Sequence, residues 1–502
     1  MTILMTGLCE KGADQIWKQC NDAMYAQGVT WLEEAAYAGD AEAWFFLGHC
    51  YSWGDGAVGF NEKKAYECYL RGASAGSARA VLGALRAGQY DEQMKQSARY
   101  SIEESYRQVR DAAEMGDVYA AWQMGEAVEW EDLADYMPQT ESAREQCLFW
   151  YERAADGGII PAMVKMGKCC QNGTYREKDE KEALRWANQC AASGEVWGLF
   201  QMGEHYRQEE DWEAAFQYDY AAAKQGSSRA MLYLGQMYLN GQGTERDIQA
   251  AVQALEGAAA RNEAESFEEL GNLFYQDELV ERDEKAFYWY GKAYAAGIKE
   301  AALPLARLYL RPSDEQDTVR AEKLLREAAG IETDGQASLA LGNIYRDGLN
   351  GEIDMKQAVS WYEKGASQGN PECMEILGCL YFQGEEGVDR DYAKAFEWLN
   401  RCEEAGSLQS ASKLGYLYMK GEGCTADENK AKELFERAAQ TECDGYALYE
   451  LGFIYERKNE SPEDLERAAQ CYQKAIEMGN ESASRRFSHF KKGLFGRWKI
   501  TY

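Results

Sequence analysis

A glycine returns about every 36 residues in near-identical surroundings, and that return limits what the chain can fold into. It sits in FLGHCY (Gly48), VLGALR (Gly83), QMGEAV (Gly125), KMGKCC (Gly167), QMGEHY (Gly203), YLGQMY (Gly235) and ELGNLF (Gly271). It continues in LGNIY (Gly342), LGCLY (Gly378), LGYLY (Gly415) and LGFIY (Gly452), with Ala306 standing in once in PLARLY. Successive spacings are 35, 42, 42, 36, 32, 36, 35, 36, 36, 37 and 37 residues. A period of this size marks a stacked array, which grows by adding units and needs no single large core. The 502 residues therefore do not require three or four globular domains.

One unit shows the parts. From Asp354 the chain reads as an Ala-rich helix (Ala358, Trp361, Tyr362, Ala366) closed by Gly369. A turn at Asn370-Pro371 leads to a second helix with Leu377, Gly378 and Tyr381, closed by Gly384. A mid-helix glycine costs roughly 1 kcal/mol against alanine. Repeating that cost requires a reason, and the expected one is a close helix crossing where no Cβ fits. Paired small residues on the first helix (Ala35-Ala36, Ala112-Ala113, Ala154-Ala155, Ala258-Ala259, Ala328-Ala329, Ala438-Ala439) fit the same logic. Asn61, Asp179, Asp247, Asp354, Asp391 and Asp427 are placed to cap first helices. Ten glycines from Gly39 to Gly479 are placed to close them. Gly54-Asp55-Gly56, Gly241-Gln242-Gly243 and Gly421-Glu422-Gly423 follow no strand and precede no Lys-Ser/Thr, so nucleotide binding is not expected.

These elements together (LG-x-x-Y, Gly-x-Gly, the Asp cap, and Ala-x-x-Trp-Tyr-x-x-Ala-Ala with its closing Gly) resemble the Sel-1-like repeat family over roughly residues 29–480. Ala358, Trp361 and Tyr362 match well, as do Ala286, Trp289 and Tyr290, and Trp150 with Tyr151 in a third unit. The resemblance implies an all-α, right-handed α/α superhelical solenoid, here of about twelve helix-turn-helix repeats. It also implies an adaptor or scaffold with no conserved active site. A secreted branch of that family carries two cysteines per repeat; this chain departs from it, with aperiodic cysteines and only Cys373 with Cys379 as a suggestive pair.

Composition narrows the partners. Formal charge is -31, from 85 acidic and 54 basic residues, which disfavours nucleic acid and anionic membrane surfaces for the main body. No run of 18 apolar residues and no signal-peptide pattern appear. The fourteen cysteines include no C-x-x-C and read as reduced, helix-packing residues, so a cytoplasmic setting is expected. A secretion route that uses no such signal would leave no trace in the sequence. Three histidines, His49, His205 and His489, lie far apart, and no H-E-x-x-H, G-x-S-x-G or P-loop occurs. Neither enzyme activity, cofactor nor metal is expected.

Three regions follow: a capping segment at 1–28, repeats at 29–484, and a tail at 485–502. The tail, RRFSHFKKGLFGRWKITY, holds six Lys or Arg and no acid, leaving the body at -37. It reads as a capping helix, as an element docking in the groove of its own or a neighbouring chain, or as a contact for an acidic partner. Expanded segments at Gly88–Arg110 and Trp130–Arg144 and a short unit near Pro312 break the period. An insertion in a stacked array emerges on one face.

The function expected is a non-enzymatic adaptor that binds a protein or peptide in a concave groove lined by second helices. Alternatives are a self-associating structural protein or an exported effector-type scaffold, docking through the tail. Candidate contact residues are Trp44, Trp122, Gln201, Asn343, Glu375, Tyr416 and Glu450 on second helices, with Phe490, Lys491, Lys492 and Trp498 in the tail.

Overall fold

The computed structural model describes residues 5–19, 22–54, 58–130, 143–275, 282–311, 317–407, 410–440, 444–492 and 498–500. They form 28 α-helices, one 3-10 turn and a two-stranded hairpin. The fold is an all-α solenoid of paired helices, about fourteen pairs in extent. It divides into two compact units, Met1–Ser266 and Phe267–Tyr502. Twelve pairs carry the glycine mark or its alanine substitute. The surplus comprises the first helix, Gly7–Trp17, a short helix Glu92–Ser97, and a last pair, Pro462–Glu477 with Glu481–Phe487.

The glycine mark is a socket for a side chain rather than a crossing of two backbones. A Cβ on Gly48, Gly125, Gly271, Gly342 or Gly452 would lie 2.3–2.7 Å from ring carbons of Tyr69, Tyr151, Tyr290, Tyr362 or Tyr472. Each ring comes from the first helix of the next repeat and is at most 2% exposed. Phe435 fills the socket at Gly415, while Leu255 and Leu399 fill those at Gly235 and Gly378. The hydroxyls are used as well. Tyr290 donates to Asn272 Oδ1 and Tyr362 to Asn343 Oδ1, both at 2.7 Å. Tyr151 and Tyr472 donate to Glu129 and Glu456, also at 2.7 Å. All four acceptors lie on the socketed helix, so ring and hydroxyl fix the same joint. The last pair carries no mark, and no further first helix follows it among the described residues.

Helix ends follow the expected chemistry. Asn61, Asp179, Asp247, Asp354, Asp391 and Asp427 each accept backbone N–H groups of the first turn. The ten closing glycines take φ between 81° and 101°. The Gly-x-Gly turns have a steric role: a Cβ on Gly243 or Gly423 would lie 2.0–2.1 Å from the carbonyl oxygen of Trp212 or Tyr392. The twelve described cysteines are unbridged, nine of them buried. Burial pushes the Cys373 thiol up to about 12.

The expansion after Gly88 is packed structure. Asp91 caps the helix Glu92–Ser97, Met94 is fully buried, and Arg99 N–H donates to the Ala73 carbonyl at 3.0 Å. Residues 131–142, Pro312 and Asp55-Gly56 lie outside the described residues.

The tail does not form the expected capping helix. After Glu481–Phe487, strands β1 (Phe490–Lys492) and β2 (Trp498–Ile500) pair antiparallel, with Lys491 opposite Lys499. Phe490 is 6% exposed and its ring meets Tyr472 at 5.5 Å. Paired strands send alternate residues to opposite faces, so Phe490, Lys492 and Trp498 share one face and Lys491 and Lys499 the other.

Socket and helix propensity pull in opposite directions, which gives a paired test. Gly342→Ala is expected to lower stability by about 1–3 kcal/mol through overpacking against Tyr362. Gly291 is also mid-helix, but an added methyl there would meet nothing within 4 Å, so Gly291→Ala is expected to gain about 0.5–1 kcal/mol. Urea unfolding of both variants checks the opposite signs.

Candidate functional site

Counted from the glycine mark, positions -6, -3 and +1 of the second helix share one face. At the start of the first unit, on the helices Ala41–Trp53 and Val118–Glu129, that face is closed. Trp17, at the end of Gly7–Trp17, lies 5.1 Å from Phe46, 5.6 Å from His49, 6.4 Å from Tyr119 and 5.8 Å from Trp122, ring to ring. Tyr119 donates to Asp14 at 2.5 Å, and Lys18 stands over the Tyr119 ring at 5.5 Å. Arg79, fully buried, bonds to Asp117 and faces Glu42 at 3.8 Å. Burial raises the Glu42 carboxyl despite that guanidinium.

One of the expected contact residues lies inside this cluster. Trp122 is 4% exposed and packs on Trp17 and His49, so no partner can reach its ring. The cause is the N-terminal helix, whose aromatic end occupies the space a groove ligand would need. His49 is buried in the same cluster, and burial, with Arg86 nearby, pushes its imidazole down to about 3.

The remaining candidates are scattered. Trp44 is half-buried under Arg71, 4.9 Å over its ring, and beside Tyr37 at 5.4 Å. Gln201 accepts from Gln171 at 2.6 Å. Asn343 accepts the Tyr362 hydroxyl, and is thus part of a socket. Glu450, 9% exposed, stands beside the Tyr446 hydroxyl. Phe490 is buried, which removes it as a contact residue, whereas Lys491 and Lys492 are exposed and Trp498 is half-buried beneath Lys492.

Of these candidates, Tyr416 stands in an open, built surface. In the second unit Phe382, Tyr416 and Tyr446 lie on three successive second helices, Pro371–Gln383, Ala411–Lys420 and Gly445–Lys458. Phe382 meets Tyr416 at 5.4 Å and Tyr392 at 5.7 Å, and Tyr416 meets Tyr446 at 6.5 Å. Arg390 and Lys413 border the recess they enclose, of about 450 Å³. Glu375 is nearby and half-buried; burial raises its carboxyl against the pull of Lys413. By register Tyr416 corresponds to His49, and Tyr446 to Tyr119. The face sealed in the first unit is open here, with Tyr446 37% exposed. The sequence expectations omit Phe382, Arg390, Tyr392, Lys413 and Tyr446. A signal for them exists: aromatics at +4, +1 and -6 on three consecutive second helices.

Three sockets depart from the pattern: Gly83 faces Tyr69 of its own repeat, Gly167 faces Trp197 of the next second helix, and Gly203 faces a carboxylate. Gly203 faces Asp219, fully buried and bonded to Arg207, whose guanidinium lies 3.8 Å over the Tyr233 ring. Burial pushes the Asp219 carboxyl up to about 6, against the pull of Arg207. Fully buried in the joint, it is out of reach of a substrate.

The Sel1 repeat profile matches residues 25–40, 41–77, 118–159, 160–195, 228–261, 268–298, 335–370, 371–407, 408–440 and 445–480. An uncharacterized protein of Neisseria meningitidis serogroup B is 26% identical over 357 residues, 64% of this chain and 73% of that protein. The chitin synthase regulator SKT5 of Saccharomyces cerevisiae is 27% identical over 324 residues, covering 62% of this chain but only 45% of SKT5. Among solved structures, c5321, a protective antigen of uropathogenic Escherichia coli displaying an SLR fold, aligns over 94% of this chain and 99% of its own. Its TM-score is 0.64 at 22% identity, a likeness of fold. Among the described residues no group of three or more His, Cys, Asp or Glu is placed to hold a metal ion. No described helix is long and apolar enough to cross a membrane.

The His49 environment predicts a pH effect. Its folded value lies below the unfolded 6.5, so its contribution to stability is full above about pH 6.5 and is lost as pH falls toward 3. The loss is about 1.4 kcal/mol per pH unit in that window. Urea unfolding at about pH 7 and about pH 5 should show that share of the acid slope removed in His49→Phe.

Proposed function

The chain belongs to the Sel1 repeat family, whose solenoids act as non-catalytic scaffolds for protein–protein interaction, and on that premise we propose that it is an adaptor holding a protein or peptide on the second-helix face of its second unit. The observation that carries this reading is the contrast between the two units. The register positions of His49 and Tyr119, sealed around Trp17 at the start of one unit, are Tyr416 and Tyr446 in the other, where with Phe382 they form a partly exposed aromatic row. A continuous row of partly exposed aromatics is costly to leave in water, and such rows serve as anchors at protein interfaces. A relative named as a regulator of chitin synthase is in keeping with a chain that works by holding other proteins.

A photo-crosslinking residue at Tyr416, compared with one at the exposed first-helix residue Tyr288, tests the placement in lysate of the source cell. A discrete adduct from Tyr416 and none from Tyr288 is expected. Equal adducts from both positions would contradict it.

A second reading, self-association through the tail, is favoured by the cross-strand pair Lys491–Lys499, two exposed like charges set directly opposite each other. An acidic surface of a second copy would relieve their repulsion. On this reading sedimentation velocity at low salt shows a species larger than the monomer, and Lys491→Glu with Lys499→Glu abolishes it. A monomer at low salt would dismiss the reading.

A further inference from the structure

We propose that the recess framed by Phe382, Tyr392, Tyr416 and Tyr446 seats a bulky apolar or aromatic side chain of an acidic peptide segment, with Arg390 and Lys413 receiving the flanking carboxylates. This rests on the adaptor reading and names the chemistry of what the adaptor holds. The walls are aromatic: Phe382 stands near-perpendicular to both Tyr392 and Tyr416, at 70° and 77°. Rings so arranged present faces and edges to a further ring, the geometry aromatic groups prefer. About 450 Å³ accommodates one large side chain together with neighbouring backbone.

The charges choose the flanks. Arg390 is oriented by neutral acceptors, its Nε donating to the Gln383 carbonyl at 3.1 Å and its Nη1 to the Tyr392 hydroxyl at 3.5 Å. Lys413 is drawn toward Cys379, with Glu375 in its field but not in a salt bridge. Glu422 and Glu450 stand beside the hydroxyls of Tyr416 and Tyr446, and burial together with these carboxylates makes both less acidic. Arg390 and Lys413 both border the aromatic recess, and neither is in a salt bridge among the described residues. A segment carrying carboxylates beside an aromatic residue complements them. The chain's own tail does not fit, since it is basic and its Phe490 and Trp498 rings already pack on each other and on Tyr472 and Phe487.

The test selects peptides from a random displayed library on the full-length protein, then measures affinity by fluorescence anisotropy. Enriched peptides are expected to share an aromatic or large apolar residue flanked by Asp or Glu. Their binding should weaken at least about tenfold in the Arg390→Glu, Lys413→Glu double variant and in Tyr416→Ala. It should survive in Tyr416→Phe, Lys413→Arg and, as a remote control, Arg485→Glu; circular dichroism confirms folding of each variant. Enrichment of basic peptides, or of peptides whose affinity is unchanged by the double variant, would overturn the recess as the site while leaving the adaptor reading in place. No enrichment at all would overturn both.

Discussion

The joint between successive repeats is one side chain entering one socket. At six of the eleven glycine marks a ring on the first helix of a repeat fills the space that a missing Cβ leaves on the second helix before it, at two more a leucine does, and four of the tyrosine hydroxyls donate to that same helix. The arrangement accounts for glycine in mid-helix, where it is otherwise unfavourable, because the buried ring offsets about 1 kcal/mol of propensity. It also accounts for the period. Moving the mark by one residue turns the socket about 100° around the helix and closes it to the ring. Capping aspartates and closing glycines set where each helix starts and stops, so that the ring arrives in register.

The joints occupy one side of each second helix and leave another free. What becomes of the free side differs along the chain. In the first unit a close contact between Gly12 and Gly28 seats the helix Gly7–Trp17, and Trp17 closes the face together with Phe46, His49, Tyr119 and Trp122. In the second unit the same register carries Tyr416 and Tyr446 with their rings partly in solvent. One scaffold chemistry thus gives a filled face where Trp17 packs and an open one at Tyr416 and Tyr446.

The periodic part of the fold is legible in the sequence because its causes are local. Caps at Asp354 or Asp391, closing glycines such as Gly369, and the marks themselves depend on neighbours within a few residues or one repeat. The joint is not legible in the same way. A bare glycine says only that space is needed, which suggests helix against helix, and does not say that Tyr362 takes the space. Trp122 looks like a contact residue in the sequence because the ring that buries it, Trp17, lies about three repeats away. The same distance hides the recess, whose walls come from three repeats and whose Arg390 sits in a turn. In the tail, composition shows an aromatic, basic strip but not its pairing, and pairing decides that Phe490 points inward while Lys491 points out.

Hydroxyl-radical footprinting of the full-length chain, read residue by residue, tests most directly whether one face is sealed and the other open. Strong labelling of Tyr416 and Tyr446 with protection of Trp17, Tyr119 and Trp122 is the predicted result. Labelling of Trp17 and Trp122 as strong as that of Tyr416 would show the first unit's face to be accessible, and the contrast on which the functional reading rests would be lost.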